Sequence, residues 1–137
     1  MTDQMIEHPM PDQSVLVVVD VQGRLARLMH ESEAMIRAQQ ALIQACRLLE
    51  IPVVWAEQLP DKLGPTADEL QEPLAGLEPC AKSSFGCMGD AALRERIEAS
   101  GRTQVLLCGI ETHVCVWQTA AALLRDDYSV HLIADAT

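Results

Sequence analysis

Four short runs of aliphatic and β-branched residues punctuate the chain: SVLVVVDV at residues 14–21, IPVVWAEQ at 51–58, TQVLLCGI at 103–110 and SVHLIADA at 129–136. Each is a compact apolar run bounded by polar residues, the pattern of a strand covered on both faces. A stretch with helical spacing precedes each of the last three. Strand–helix–strand connections of that length join parallel strands, so the chain is expected to form an α/β sheet with helices packed against it.

Helix signals fill the intervals. Before the second run, Met35, Leu42, Cys46 and Leu49 fall on one stripe, with Arg37, Gln40, Gln44 and Arg47 turned elsewhere. Asp90 is placed to cap a helix that ends at Gly101, where a left-handed residue suits the exit. Trp117, Ala120, Ala121 and Leu124 predict the buried stripe of a helix beginning near Cys115. Between residues 57 and 79 the prolines and glycine at Pro60, Gly64, Pro65, Pro73 and Pro79 mark a long connection, a candidate pocket wall. It carries one short helix with a Thr66–Glu69 capping-box pattern.

A chain of 137 residues suits a single domain, here residues 14–137 after a polar start at residues 1–13. The net charge of −10, with no local run of Lys and Arg, opposes binding to nucleic acid or anionic lipid. The first residues lack a basic segment followed by an apolar one, and no apolar run approaches the ~18 residues of a membrane span, so a cytoplasmic location is expected. The five cysteines are odd in number and lack CxxC spacing, which favours reduced thiols over disulfides or a zinc site. Cys108, His113 and Cys115 straddle a strand end and a helix start, so their side chains should diverge and no metal is expected. The first strand runs into DVQGRL, where Gly23 alone stands in place of GxGxxG, which argues against a dinucleotide.

Ligands of open parallel sheets collect at the carboxyl ends of the strands. Those ends carry Asp20 and Gln22, Glu57 and Gln58, and the segment Glu111, Thr112 and Cys115, while residues 80–86 bring in Lys82. With Thr112 as the helix cap, Cys115 is the third helical residue, where free N–H groups favour a thiolate. A nearby lysine would add to a pKa drop of ~2 units. A carboxylate such as Asp20 can take the thiol proton and later return it. Each residue also has a structural alternative: Asp20 as a turn cap, Lys82 as a solvated surface residue, Cys115 as a small buried apolar group.

The segments VVVDVQ (17–22), AKSSFG (81–86), LLCGIETHVCVWQTA (106–120) and HLIADA (131–136) resemble the isochorismatase-like cysteine hydrolases, a family that includes nicotinamidases and N-carbamoylsarcosine amidases. The resemblance implies a three-layer α-β-α, Rossmann-like, mainly parallel sheet with helices on both faces. It implies Asp20 as acid/base, Lys82 as the polarising charge and Cys115 as nucleophile. It also implies a cis peptide between Ile110 and Glu111, with the backbone N–H groups of Glu111 and Cys115 as the oxyanion hole. Gln22 and Phe85 are candidate pocket residues.

Departures from the family matter as well. Nicotinamidases bind a metal through an aspartate and histidines after the second strand, and WAEQLPDKLGP has no histidine, so neither metal nor cofactor is expected. Members acting on isochorismate itself generally lack the cysteine. Family members continue past ADAT with another helix and usually a last strand, both absent from this sequence, and they are commonly homo-oligomers. The expected function is hydrolysis of an amide or related C–N bond in a small molecule through a thioester. The alternatives are a non-catalytic binding or scaffold protein of the same fold and a redox-sensing thiol protein.

Overall fold

The computed structural model describes residues 7–137, so residues 1–6 of the polar start lie outside the described residues. Five parallel strands form one sheet in the order β3-β2-β1-β4-β5. They are β1 (Ser14–Val19), β2 (Val53–Gln58), β3 (Cys80–Lys82), β4 (Gln104–Gly109) and β5 (Ser129–Leu132). The helices are α1 (Gly23–Arg27), α2 (Ser32–Leu48), α3 (Pro60–Leu63), α4 (Asp68–Gln71), α5 (Ala91–Ala99) and α6 (Trp117–Arg125). Two apolar layers sandwich the sheet, as the parallel-strand pattern requires.

The period of two along β1 divides the core. Leu16 and Val18 pack with Ala26, Met35, Ile36 and Ile43 of α1 and α2, while Val15, Val17 and Val19 pack with Leu93 and Ile97 of α5 and Leu123 of α6. All six β1 side chains are buried, and each of the five aliphatic ones contributes about 2 kcal/mol of apolar burial. The chain builds β2 and β3 on one side of β1 and then returns to place β4 on the other. That reversal opens a crevice at the carboxyl ends of β1 and β4. Gly109 closes β4 there with φ +120, and a Cβ on it would stand 2.0 Å from the Val19 carbonyl oxygen, so only glycine fits.

Three local expectations are corrected. The face of α2 that is buried carries Met35, Ile36, Gln39, Ile43 and Cys46, whereas Leu42 is half-buried and Leu49 exposed. A seven-residue spacing drifts around a straight helix, and Leu49 lies just past its end. On α6 the buried residues are Thr119 and Leu123, while Trp117 and Leu124 are 63% and 60% exposed. A π-helical turn at Thr112–Val116 precedes α6 and shifts its phase relative to an α-helix begun at residue 112. Thr66 does not cap α4. Its Oγ1 donates to Glu57 Oε2 at 2.8 Å and accepts from Trp55 Nε1 at 2.7 Å, which ties the long connection to β2.

The Asp90 cap is present, its Oδ1 accepting from Leu93 N at 3.1 Å, and Gly101 has φ +68. No helix among the described residues is long and apolar enough to cross a membrane.

Candidate active site

The crevice is built from the ends of nonadjacent strands. Asp20 follows β1 in a left-handed backbone conformation, φ 54, a region that few non-glycine residues occupy and that aspartate tolerates better than most. Lys82 ends β3, two strands away, and its side chain reaches across the end of β2. Its Nζ lies 2.8 Å from Asp20 Oδ2, with the lysine side chain fully buried and that of the aspartate 4% exposed.

The ammonium is fully committed. It donates to Gln58 Oε1 at 2.6 Å, Phe85 O at 2.7 Å and Ser84 O at 2.9 Å. Its contact with Asp20 is therefore a charge pair, and neither Asp20 oxygen receives a well-directed hydrogen bond among the described residues. A buried carboxylate held by charge but short of donors keeps lone pairs available for a proton. Burial pushes the Asp20 carboxyl above its ordinary pKa, and Lys82 opposes that rise.

Cys115 enters from the π-helical turn after β4, 8% exposed, with its thiol coupled to Asp20. Thr119 fixes this turn: its fully buried Oγ1 donates to Cys115 O at 2.7 Å and accepts from Cys87 N at 2.9 Å. The Ile110–Glu111 peptide is cis, and the Glu111 N–H donates to no acceptor among the described residues.

The expected acidic thiol is corrected. Burial first, then the Asp20 carboxylate, pushes the Cys115 thiol up to about 11, and Lys82 only partly offsets them. Glu111, rather than Thr112, occupies the cap of the π-helical turn that leads into α6, and the helix start does not offset the burial and the neighbouring carboxylate. Burial raises both members of the Asp20–Cys115 pair, which are placed to exchange a proton.

Gln22 is also reassigned. Its amide is fully buried, donates to Gln58 O and Gly64 O at 3.0 and 2.8 Å, and accepts from Gln58 N at 2.6 Å. It is a strut between loops and offers no surface to a ligand. Phe85 is 55% exposed and lines a groove of about 490 Å³ with Met88, Arg94 and Trp117. Leu59, Pro60, Asp61 and Lys62 of the long connection line a cleft of about 390 Å³ that also reaches Lys82, in keeping with a pocket wall. The sequence marks Gln58 only as a strand-end group and gives Thr119 no role, because only the β2–β3 register and the turn geometry reveal what they hold. Among the described residues, no three His, Cys, Asp or Glu side chains gather to hold a metal ion.

Comparisons with known proteins agree with this architecture. The isochorismatase domain model matches residues 14–137. Isochorismatase domain-containing protein 2 of Danio rerio is 37% identical over 123 residues, which cover 90% of this chain and 61% of the relative. The structure of MAR1 ribonuclease from Caenorhabditis elegans superposes with a TM-score of 0.87 at 34% identity, over 95% of this chain and 67% of that one. The ycaC gene product of Escherichia coli, described as an octameric hydrolase of unknown specificity, shares the fold with a TM-score of 0.87 at 19% identity, over 96% and 68% of the two chains. The chain spans about three fifths of the length of the curated relatives it matches. On the family match and this identity, the chain belongs to the isochorismatase domain family.

Proposed function

We propose that this protein is a cofactor-independent cysteine hydrolase that cleaves an amide or related C–N bond of a small molecule. The observation that carries the proposal is the meeting of Asp20, Lys82 and Cys115 at the switch point of the sheet, with a charge pair of 2.8 Å between two side chains that the strand order holds apart.

In the mechanism, the Cys115 sulfur attacks the substrate carbonyl carbon while its proton passes to Asp20. The carbonyl oxygen gains the electron pair, and the N–H groups of Glu111 and Cys115 hold the oxyanion. As the intermediate collapses, the C–N bond breaks and the departing amine takes the proton from Asp20. Water then adds to the thioester, giving its proton to Asp20, and the carboxylic acid leaves as Cys115 regains its hydrogen. Lys82 keeps Asp20 ionised between these transfers. Because the resting thiol is protonated, attack and proton transfer are concerted.

The worm relative's description as a ribonuclease raises RNA as a substrate, but a net charge of −10 weighs against a polyanion. The octameric neighbour motivates a homo-oligomer here as well. A panel of small amides assayed for ammonia release, with Cys115→Ala as control, tests the reading. Release that depends on Cys115 supports it. Release that survives Cys115→Ala, or a panel without turnover and without covalent adduct, counts against it.

A further inference from the structure

Between Lys82 and Asp20 stands the end of β2. Strands lie about 4.8 Å apart, so a lysine ending β3 must pass over β2 to meet a carboxylate ending β1. The residue it passes is Gln58, directly in register with Lys82. Gln58 Oε1 makes the shortest hydrogen bond to Nζ, 2.6 Å, and its Nε2 donates to Ser83 O at 3.2 Å, tying the same amide to the loop whose Ser84 and Phe85 carbonyls take the other ammonium protons. Gln22 grips the Gln58 main chain from the opposite side, accepting from its N–H at 2.6 Å and donating to its carbonyl at 3.0 Å. Gln58 is 6% exposed and Gln22 is fully buried, so the bridge is shielded from water.

The choice of an amide has an electrostatic consequence. A carboxylate at this position would pair with the ammonium and leave Asp20 facing a neutralised lysine. An amide oxygen accepts the hydrogen bond without cancelling the charge, so the whole positive charge of Lys82 is directed at Asp20 and, through it, at Cys115. Every other acceptor on Nζ is a neutral carbonyl, which keeps the same rule.

We propose that Gln58, braced by Gln22, is the positioning residue that aims the Lys82 ammonium at Asp20 while leaving its charge uncancelled. The inference rests on the proposed hydrolase reading for its purpose, but not for its test. Besides Lys82, the charged groups that act on Cys115 are Asp20 at the end of β1 and Glu111 after β4, and Glu57 at the end of β2 acts on Asp20.

The test is the pH profile of Cys115 alkylation by iodoacetamide, followed on the Cys115 peptide by mass spectrometry, which needs no substrate. Gln58→Glu keeps the shape and adds a charge, and should displace the whole profile to higher pH by about one unit, a tenfold slower alkylation at a given pH on its rising limb. Gln58→Met removes the acceptor without adding charge and should slow alkylation roughly threefold in the same direction. The two variants stress the fold differently, one by charge and one by lost polarity, so a folding defect in one leaves the other to be read. Profiles of folded variants that superimpose on wild type overturn the proposal. Displaced profiles in a protein whose amide turnover survives Cys115→Ala would sustain the positioning role while removing the hydrolase mechanism.

Discussion

Lys82 and Asp20 end strands that are not neighbours, yet their charged groups lie 2.8 Å apart and almost wholly out of water. Removing one partner of a buried pair leaves the other uncompensated, at about 3 kcal/mol or more unless it changes protonation. Asp20 is already pushed toward its neutral form by burial, so Lys82→Met should leave it protonated at neutral pH. We expect a soluble variant with its melting temperature lowered by several degrees and turnover down at least about a hundredfold. The acid limb of kcat/KM should move upward by about one unit or more. An unmoved acid limb would show that Lys82 does not act on Asp20.

Thiol ionisation sets a stability limit at high pH. Burial pushes Cys115 and Cys46 up to about 11 and Cys87 up to about 12, with Cys108 raised further. In the unfolded chain these thiols ionise near 8.5. Above that pH the unfolded state binds fewer protons than the native state, so stability is fully present below it and falls as pH rises toward the native values. Each thiol contributes up to about 1.4 kcal/mol per pH unit in that window. Urea midpoints should be level from pH 7 to 8 and drop between 9 and 10.5; a flat profile would mean that the thiols are not protected by burial.

Thr119 holds the Cys115 turn through two buried bonds. Thr119→Val keeps the shape and strips both, which should cost about 1–3 kcal/mol, seen as a lower melting temperature together with reduced turnover. Unchanged values for both would mean that Cys115 is positioned by the remaining contacts alone.

At Gly109 the backbone of β4 approaches Val19 too closely for any side chain. Gly109→Ala should destabilise by about 3 kcal/mol or more, recovered as insoluble protein or a strongly lowered urea midpoint. Wild-type stability would contradict the packing described at the crevice.

The sheet was legible in the sequence because buried parallel strands leave uninterrupted apolar runs, and residues 14–21 show this plainly. Asp20, Lys82 and Cys115 could be singled out from strand ends and motif resemblance. Their convergence depends on a strand order that local spacing does not encode. The α6 face was misread because a π-helical turn shifts the phase without a distinctive residue pattern. The thiol's ionisation was misread for a related reason: the helix-start position was visible in the sequence, while the neighbouring carboxylate and the depth of burial exist only after folding. Gln22 looked like a pocket residue because it follows the strand end, and only the fold shows both ends of its amide occupied.

The central claim is that Cys115 carries the acyl group during turnover. Rapid acid quench of a reaction with a turned-over amide, followed by peptide mass spectrometry, reads this directly. A mass increase equal to the acyl fragment on the Cys115 peptide of wild type, absent from Asp20→Asn, is the predicted result. Turnover without any acylated Cys115, or with the acyl group on another residue, would contradict it.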